Sequence, residues 1–149
     1  MIRIPRSALL LGFAGLIPFL WGAVTLLIPQ TYDLSLARLG PRFMGQYVLN
    51  FYGTIVLAFM SGVLWGFATR AEGRVAQLGY ALSMLPVLWA FFTVGGGPDS
   101  SLVFLIAGYA GLLGLDWLFW RQGLAPPWWM ALRVPLTLIV VLCLFIGLL

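Results

Sequence analysis

Residues Gly108–Thr137 read GYAGLLGLDWLFWRQGLAPPWWMALRVPLT: an apolar helix, a short basic turn and a second apolar helix. Two charges break the apolar text. Asp116 stands five residues before Arg121 at the turn, and Arg133 stands five residues after Trp128 on the return. At the rise of an α-helix each lies roughly 7–8 Å inside its helix end, at matching depth. An antiparallel hairpin places them face to face. An Asp is too short to reach the headgroups from that depth and needs a donor, a proton or a wet cavity, whereas an Arg has a stem long enough to snorkel. The expectation is an intramembrane ion pair, Asp116 with Arg133, that pins the last two helices. A proton-handling Asp116 is the competing role.

Working outward, the composition places the hairpin in a bilayer. Hydrophobic residues make up 62% of the 149-residue chain and charged residues only 8%, with a mean hydropathy of +1.05. Soluble domains carry about 25% charged residues, so this chain lacks the side chains to cover a water-facing surface. The apolar runs predict an all-α integral membrane protein, a single unit over 1–149, with five transmembrane helices at about 7–28, 45–69, 75–94, 100–120 and 129–149. The first run is too long for a signal-peptide core and reads as a retained span.

All eight basic residues are Arg, and they divide unevenly between the loops. Arg3, Arg6, Arg70, Arg74, Arg121 and Arg133 fall on the N-terminal side of five spans, Arg38 and Arg42 on the other. The positive-inside rule then puts the N-terminus in the cytoplasm and the C-terminus outside. The net charge of +4 is explained by this topology. It does not form a nucleic-acid patch, and no nucleic-acid partner is expected.

The missing residue types narrow the chemistry. There is no His and no Lys. Imidazole metal and haem sites, His-based acid–base catalysis, Schiff-base cofactors and the phosphate-loop lysine are therefore excluded for this chain alone. No metal and no cofactor is expected, and no catalytic residue: one intramembrane acid without a base or nucleophile is not an enzyme's constellation. Cys143 is the only thiol and reads as a small buried hydrophobe.

The connections and the other spans carry local signals. Between the first two spans, Asp33 is expected to cap a short interfacial helix over Leu34–Leu39, stopped by Gly40-Pro41. Pro18 and Pro86 are expected to kink the first and third spans, and Asp99 or Ser100 to cap the fourth. Trp117, Trp120, Trp128 and Trp129 read as an aromatic belt. LGFAGLIPFLW (Leu11–Trp21) echoes LGYALSMLPVLW (Leu78–Trp89), which fits a parallel two-helix repeat with a fifth helix added. On the second span every fourth residue gives Gln46, Asn50, Thr54, Ala58, Gly62 and Gly66. The small half, Ala58–Gly62–Gly66, reads as a helix-packing ridge. The polar half, Gln46–Asn50–Thr54, is either a set of interhelical hydrogen bonds or a polar pocket for a ligand.

Several stretches together resemble one family. They are LLLGFAGLIPF (Leu9–Phe19), YGTIVLAFMSGVLWG (Tyr52–Gly66), LGYALSMLP (Leu78–Pro86), AGLLGLD (Ala110–Asp116) and PPWWMALRVPLT (Pro126–Thr137). Their order is similar to the domain-of-unknown-function family 3429, which includes animal transmembrane protein 69 of mitochondria. The resemblance implies a small multispan protein, here of a bacterial inner membrane, and no established reaction. In relatives the position of Leu64 is often polar or basic, so a functional side chain carried there is absent from this chain.

Two functions of different class follow. One is a non-catalytic accessory subunit or assembly factor of a larger membrane complex, respiratory or photosynthetic, whose partners are the lipid bilayer and other membrane-protein subunits. The other is a small transporter or channel that uses the outer polar pocket with Asp116 as coupling acid. A bound lipid, quinone or carotenoid in an apolar groove would leave no motif to read.

Overall fold

The computed structural model describes residues 3–149, so Met1 and Ile2 of the expected single unit lie outside the described residues. Eight α-helices follow one another: α1 Arg6–Ala14, α2 Ile17–Leu27, α3 Pro29–Arg38, α4 Gly45–Ala68, α5 Gly73–Ser83, α6 Leu85–Thr93, α7 Pro98–Arg121 and α8 Trp129–Ile146. A 3-10 turn, Pro41–Phe43, precedes α4. Joined end to end where the chain merely kinks, they make five segments long and apolar enough to cross a membrane: Arg6–Leu27, Gly45–Ala68, Gly73–Thr93, Pro98–Arg121 and Trp129–Ile146. The protein is an all-α integral membrane protein.

The two kinked spans are the two that echo each other in sequence. Each breaks just ahead of a proline, at Gly15–Leu16 before Pro18 and at Met84 before Pro86. A proline has no N–H for the carbonyl one turn back, and its ring crowds that carbonyl. The first break is held from outside: the Tyr52 hydroxyl on α4 donates to the Gly15 carbonyl at 3.1 Å. The second is held the same way, with the Val87 N–H donating to Ser61 Oγ on α4 at 2.9 Å. Pro135, by contrast, lies inside α8 without breaking it.

Helix α4 is the hub, packed against α2, α5, α6, α7 and α8. Its buried stripe is Leu49, Gly53, Leu57, Met60, Ser61, Leu64 and Ala68, at helical spacing. This stripe is not the Ala58–Gly62–Gly66 ridge. Gly62 and Gly66 point outward, and a Cβ on either would meet nothing within 4 Å. The ridge spaced by four drifts off the buried face, from a half-buried Ala58 to an exposed Gly62 and Gly66. Close approach is made instead by Gly22, Gly53, Gly79, Gly108 and Gly147, where an added Cβ would fall 2.8–3.1 Å from a neighbouring side chain. Leu64 is itself fully buried in the core.

Two expected caps are corrected. The connecting helix α3 starts at Pro29, with Asp33 in its middle, and ends at Arg38; Gly40 follows, and its φ of +88° suits a residue without Cβ. At α7, Gly97 precedes the helix and Pro98 opens it. Asp99 sits inside the first turn, and neither it nor Ser100 caps the helix. Proline at the first helical position is favoured because its missing N–H would have no partner there in any case. At the other end of α7 the chain turns through Gly123, φ +74°, with the Leu124 N–H donating to the Phe119 carbonyl at 3.0 Å. That turn sets α8 antiparallel to α7.

Candidate functional site

The buried stripe of α7 runs Leu102, Leu105, Tyr109, Leu112, Asp116 and Phe119. That of α8 runs Leu132, Arg133, Leu136, Thr137, Val140 and Leu144. Both charges therefore sit on interior faces, and the antiparallel turn brings them together. Arg133 Nε donates to Asp116 Oδ2 at 2.8 Å, with Asp116 0% and Arg133 7% exposed. The Arg133 stem does not snorkel. The second carboxylate oxygen, Oδ1, accepts from Trp129 Nε1 at 2.8 Å. Trp129 is thus more than a member of an aromatic belt: its ring stands edge-on to Phe67, with centroids 4.9 Å apart, and its N–H completes the carboxylate.

Around this centre lie groups that the sequence reading did not single out. Tyr109, 1% exposed, donates to the Gly53 carbonyl at 2.7 Å. It also packs edge-on against Phe19, which in turn stands 5.1 Å from the Tyr52 ring. Beside them a cavity of about 180 Å³ opens between the α1–α2 break, α4, α7 and α8; Arg133, Thr137, Tyr52 and Tyr109 are among its walls. Arg133 Nη2 and Thr137 Oγ1 are both buried without a hydrogen-bond partner. Helical spacing carried a signal for each missed residue, since Trp129 and Thr137 stand four residues either side of Arg133, and Tyr109 stands seven before Asp116.

The three polar residues of α4 do meet in one place. Gln46, Asn50 and Thr54 line an open pocket of about 630 Å³ under the loop between α6 and α7. Each of them already donates a hydrogen bond, whereas Asn50 Oδ1 is buried without a partner. Gln46 Nε2 donates to Asp99 Oδ1 at 2.6 Å and to the Gly147 carbonyl at 2.7 Å. Asn50 Nδ2 donates to the Pro98 carbonyl at 3.1 Å, and the Thr54 hydroxyl donates to the Asn50 carbonyl at 2.7 Å. The group clamps the ends of α7 and α8 to α4. Along α7 it is separated from Asp116 by Leu105, Tyr109 and Leu112, all 0–1% exposed. Among the described residues no cluster of His, Cys, Asp and Glu could hold a metal ion.

The family profile for proteins of unknown function DUF3429 matches residues 4–149. This chain belongs to the DUF3429 family. Curated proteins similar to it include mouse transmembrane protein 69, 31% identical over 139 residues, which cover 91% of this chain and 52% of the mouse protein. Transmembrane protein 69 of Xenopus tropicalis is 28% identical over 143 residues, which cover 92% of this chain and 51% of the frog protein. The DUF3429 chain thus spans about half the length of the curated relatives it matches. No solved structure matches it.

Proposed function

We propose that this DUF3429 protein is a non-catalytic accessory subunit or assembly factor of a larger membrane complex. The observation that carries the reading is the outward face of α4. Ala58, Gly62 and Gly66 form a ridge of small residues on a long apolar helix, and Gly62 and Gly66 have nothing of this chain against them. In a bilayer such a ridge lets a second helix approach closely, and dispersion and weak hydrogen bonds then hold it there. Large apolar side chains elsewhere on the surface, such as Phe91 and Phe92 on α6, face lipid or the same partner.

The intramembrane acid supports this role over transport. Both oxygens of Asp116 already accept hydrogen bonds from this chain, and Leu105, Tyr109 and Leu112 lie between it and the outer pocket. Arginine distribution supports an orientation with the N-terminus in the cytoplasm, and in this reading the membrane is a bacterial cytoplasmic membrane. Respiratory or photosynthetic complexes are the partners to examine first.

The test is purification from native membranes in mild detergent, comparing the wild type with Gly62→Leu. A stoichiometric membrane partner should accompany the wild type and be lost from Gly62→Leu, while the variant keeps its own thermal stability. A partner-free protein that carries a solute across liposomes would overturn the reading.

A further inference from the structure

We infer that the cavity beside Arg133 and Thr137 binds a neutral carbonyl oxygen carried by an apolar membrane molecule. Two residues of its wall, Arg133 and Thr137, each carry a buried polar atom without a partner. Arg133 Nε is engaged with Asp116, but its buried Nη2 has no partner. The Thr137 hydroxyl, one helical turn further along α8, is also buried and unpaired. Among the threonines that state is exceptional. The other five threonines, Thr25, Thr31, Thr54, Thr69 and Thr93, each donate to a backbone carbonyl three or four residues back. Thr137 is spared that local bond and stays free as a donor. A buried donor without an acceptor costs free energy, more so in a membrane interior where water is scarce.

The surroundings define the acceptor. Asp116 already neutralises Arg133 within the protein, so a further anion would be buried without a counter-charge. A neutral oxygen would not. The remaining walls are apolar or aromatic, with Phe19, Tyr52 and Tyr109 among them. Leu11 and Phe59 also line the cavity and are 73% and 68% exposed, on the surface that faces acyl chains. Its mouth therefore opens sideways into hydrocarbon, which admits an amphiphile's head more readily than water. A volume of about 180 Å³ suits such a head, since an engineered cavity of about 150 Å³ holds benzene. The tail would remain among the lipids past Leu11 and Phe59. Two membrane sources present this chemistry, the ring of a quinone and the ester of an acyl lipid. The inference stands independently of the partner proposed above.

The experiment is a thermal-stability titration of the purified protein in a detergent without carbonyl groups. Three probes are compared: decylbenzoquinone, methyl decanoate, and decylbenzene as an apolar body without an acceptor. At least one carbonyl probe should raise Tm and decylbenzene should not, because a ligand stabilises only the state that binds it. A response to the quinone alone assigns the ring, to the ester alone the lipid, and to both the carbonyl in either setting. Thr137→Val should weaken the response about tenfold and Thr137→Ser should retain it. If Thr137→Val fails to accumulate, the wild-type comparison of carbonyl probes against decylbenzene decides. No response to any probe, an equal response to decylbenzene, or a response unchanged in Thr137→Val would overturn the inference and leave a dry or water-filled void.

Discussion

Arg133 Nε lies 2.8 Å from Asp116 Oδ2 across the α7–α8 hairpin, although the two residues are 17 positions apart in sequence. The contact closes an electrostatic problem that neither helix solves alone. A single Asp or Arg at the centre of a transmembrane helix costs about 2.5–3.5 kcal/mol on insertion scales, whereas a contact pair presents the bilayer with no net charge. Trp129, on the first turn of α8, takes the carboxylate oxygen that Arg133 leaves.

Removing one partner should therefore be worse than removing both. Asp116→Asn leaves the Arg133 charge buried, a change that costs about 3–5 kcal/mol in buried pairs. Adding Arg133→Gln should restore part of that loss. Trp129→Phe should cost less, about 1.5–3 kcal/mol for one hydrogen bond to a charged group. Thermal unfolding in detergent and protein abundance both read the series. An abundant, fully stable Asp116→Asn that loses a pH-dependent activity would mark Asp116 as a proton carrier instead.

Glycines on the two sides of the bundle should behave oppositely. An added Cβ at Gly108 would lie 2.9 Å from Leu57 Cδ2 and 3.0 Å from the Trp89 ring. Gly108→Ala should destabilise the protein by about 1–3 kcal/mol through overpacking. Gly62→Ala has open space and should be neutral or gain up to about 1 kcal/mol from helix propensity. A purified protein in which both changes cost the same would contradict the outward placement of Gly62.

The clamp at the other end is a local device. Gln46 holds both Asp99 and the Gly147 carbonyl, so Gln46→Leu should free the loop before α7 together with the last turn of α8. Amide exchange should rise at residues 95–97, at Asp99 and at residues 145–149 while the α4–α7 core stays protected, because local openings need only the contacts of that segment. Uniform loss of protection would mean that Gln46 supports the whole bundle.

Orientation is read with reporters. Fusions after Ala71 and after Arg121 should report the cytoplasm, and one after Leu149 the opposite side. A cytoplasmic signal from the last fusion is incompatible with five spans.

The sequence by itself determined the bilayer as solvent and the number of spans. It also located the two proline-linked breaks and the Asp116–Arg133 juxtaposition. These rest on properties that act along the chain: run length against bilayer thickness, the missing N–H of Pro18 and Pro86, and equal depth on two antiparallel helices. Which face of a uniformly apolar helix turns inward is not encoded that way, because lipid and protein interior are equally apolar to a Leu or a Gly. The four-residue ridge of α4 read as a helix-contact surface in sequence, and in the fold its Gly62 and Gly66 face away from this chain. The buried side was decided by shape, through Leu49 fitting against Gly22 and Gly147 and Leu57 fitting against Gly108. The hydrogen bonds of Tyr52, Tyr109 and Trp129, and the cavity that Arg133 shares with Thr137, likewise exist only once α1, α4, α7 and α8 meet. Polar groups in a membrane take whatever partner the packing brings within reach, and only the tertiary structure says which one that is.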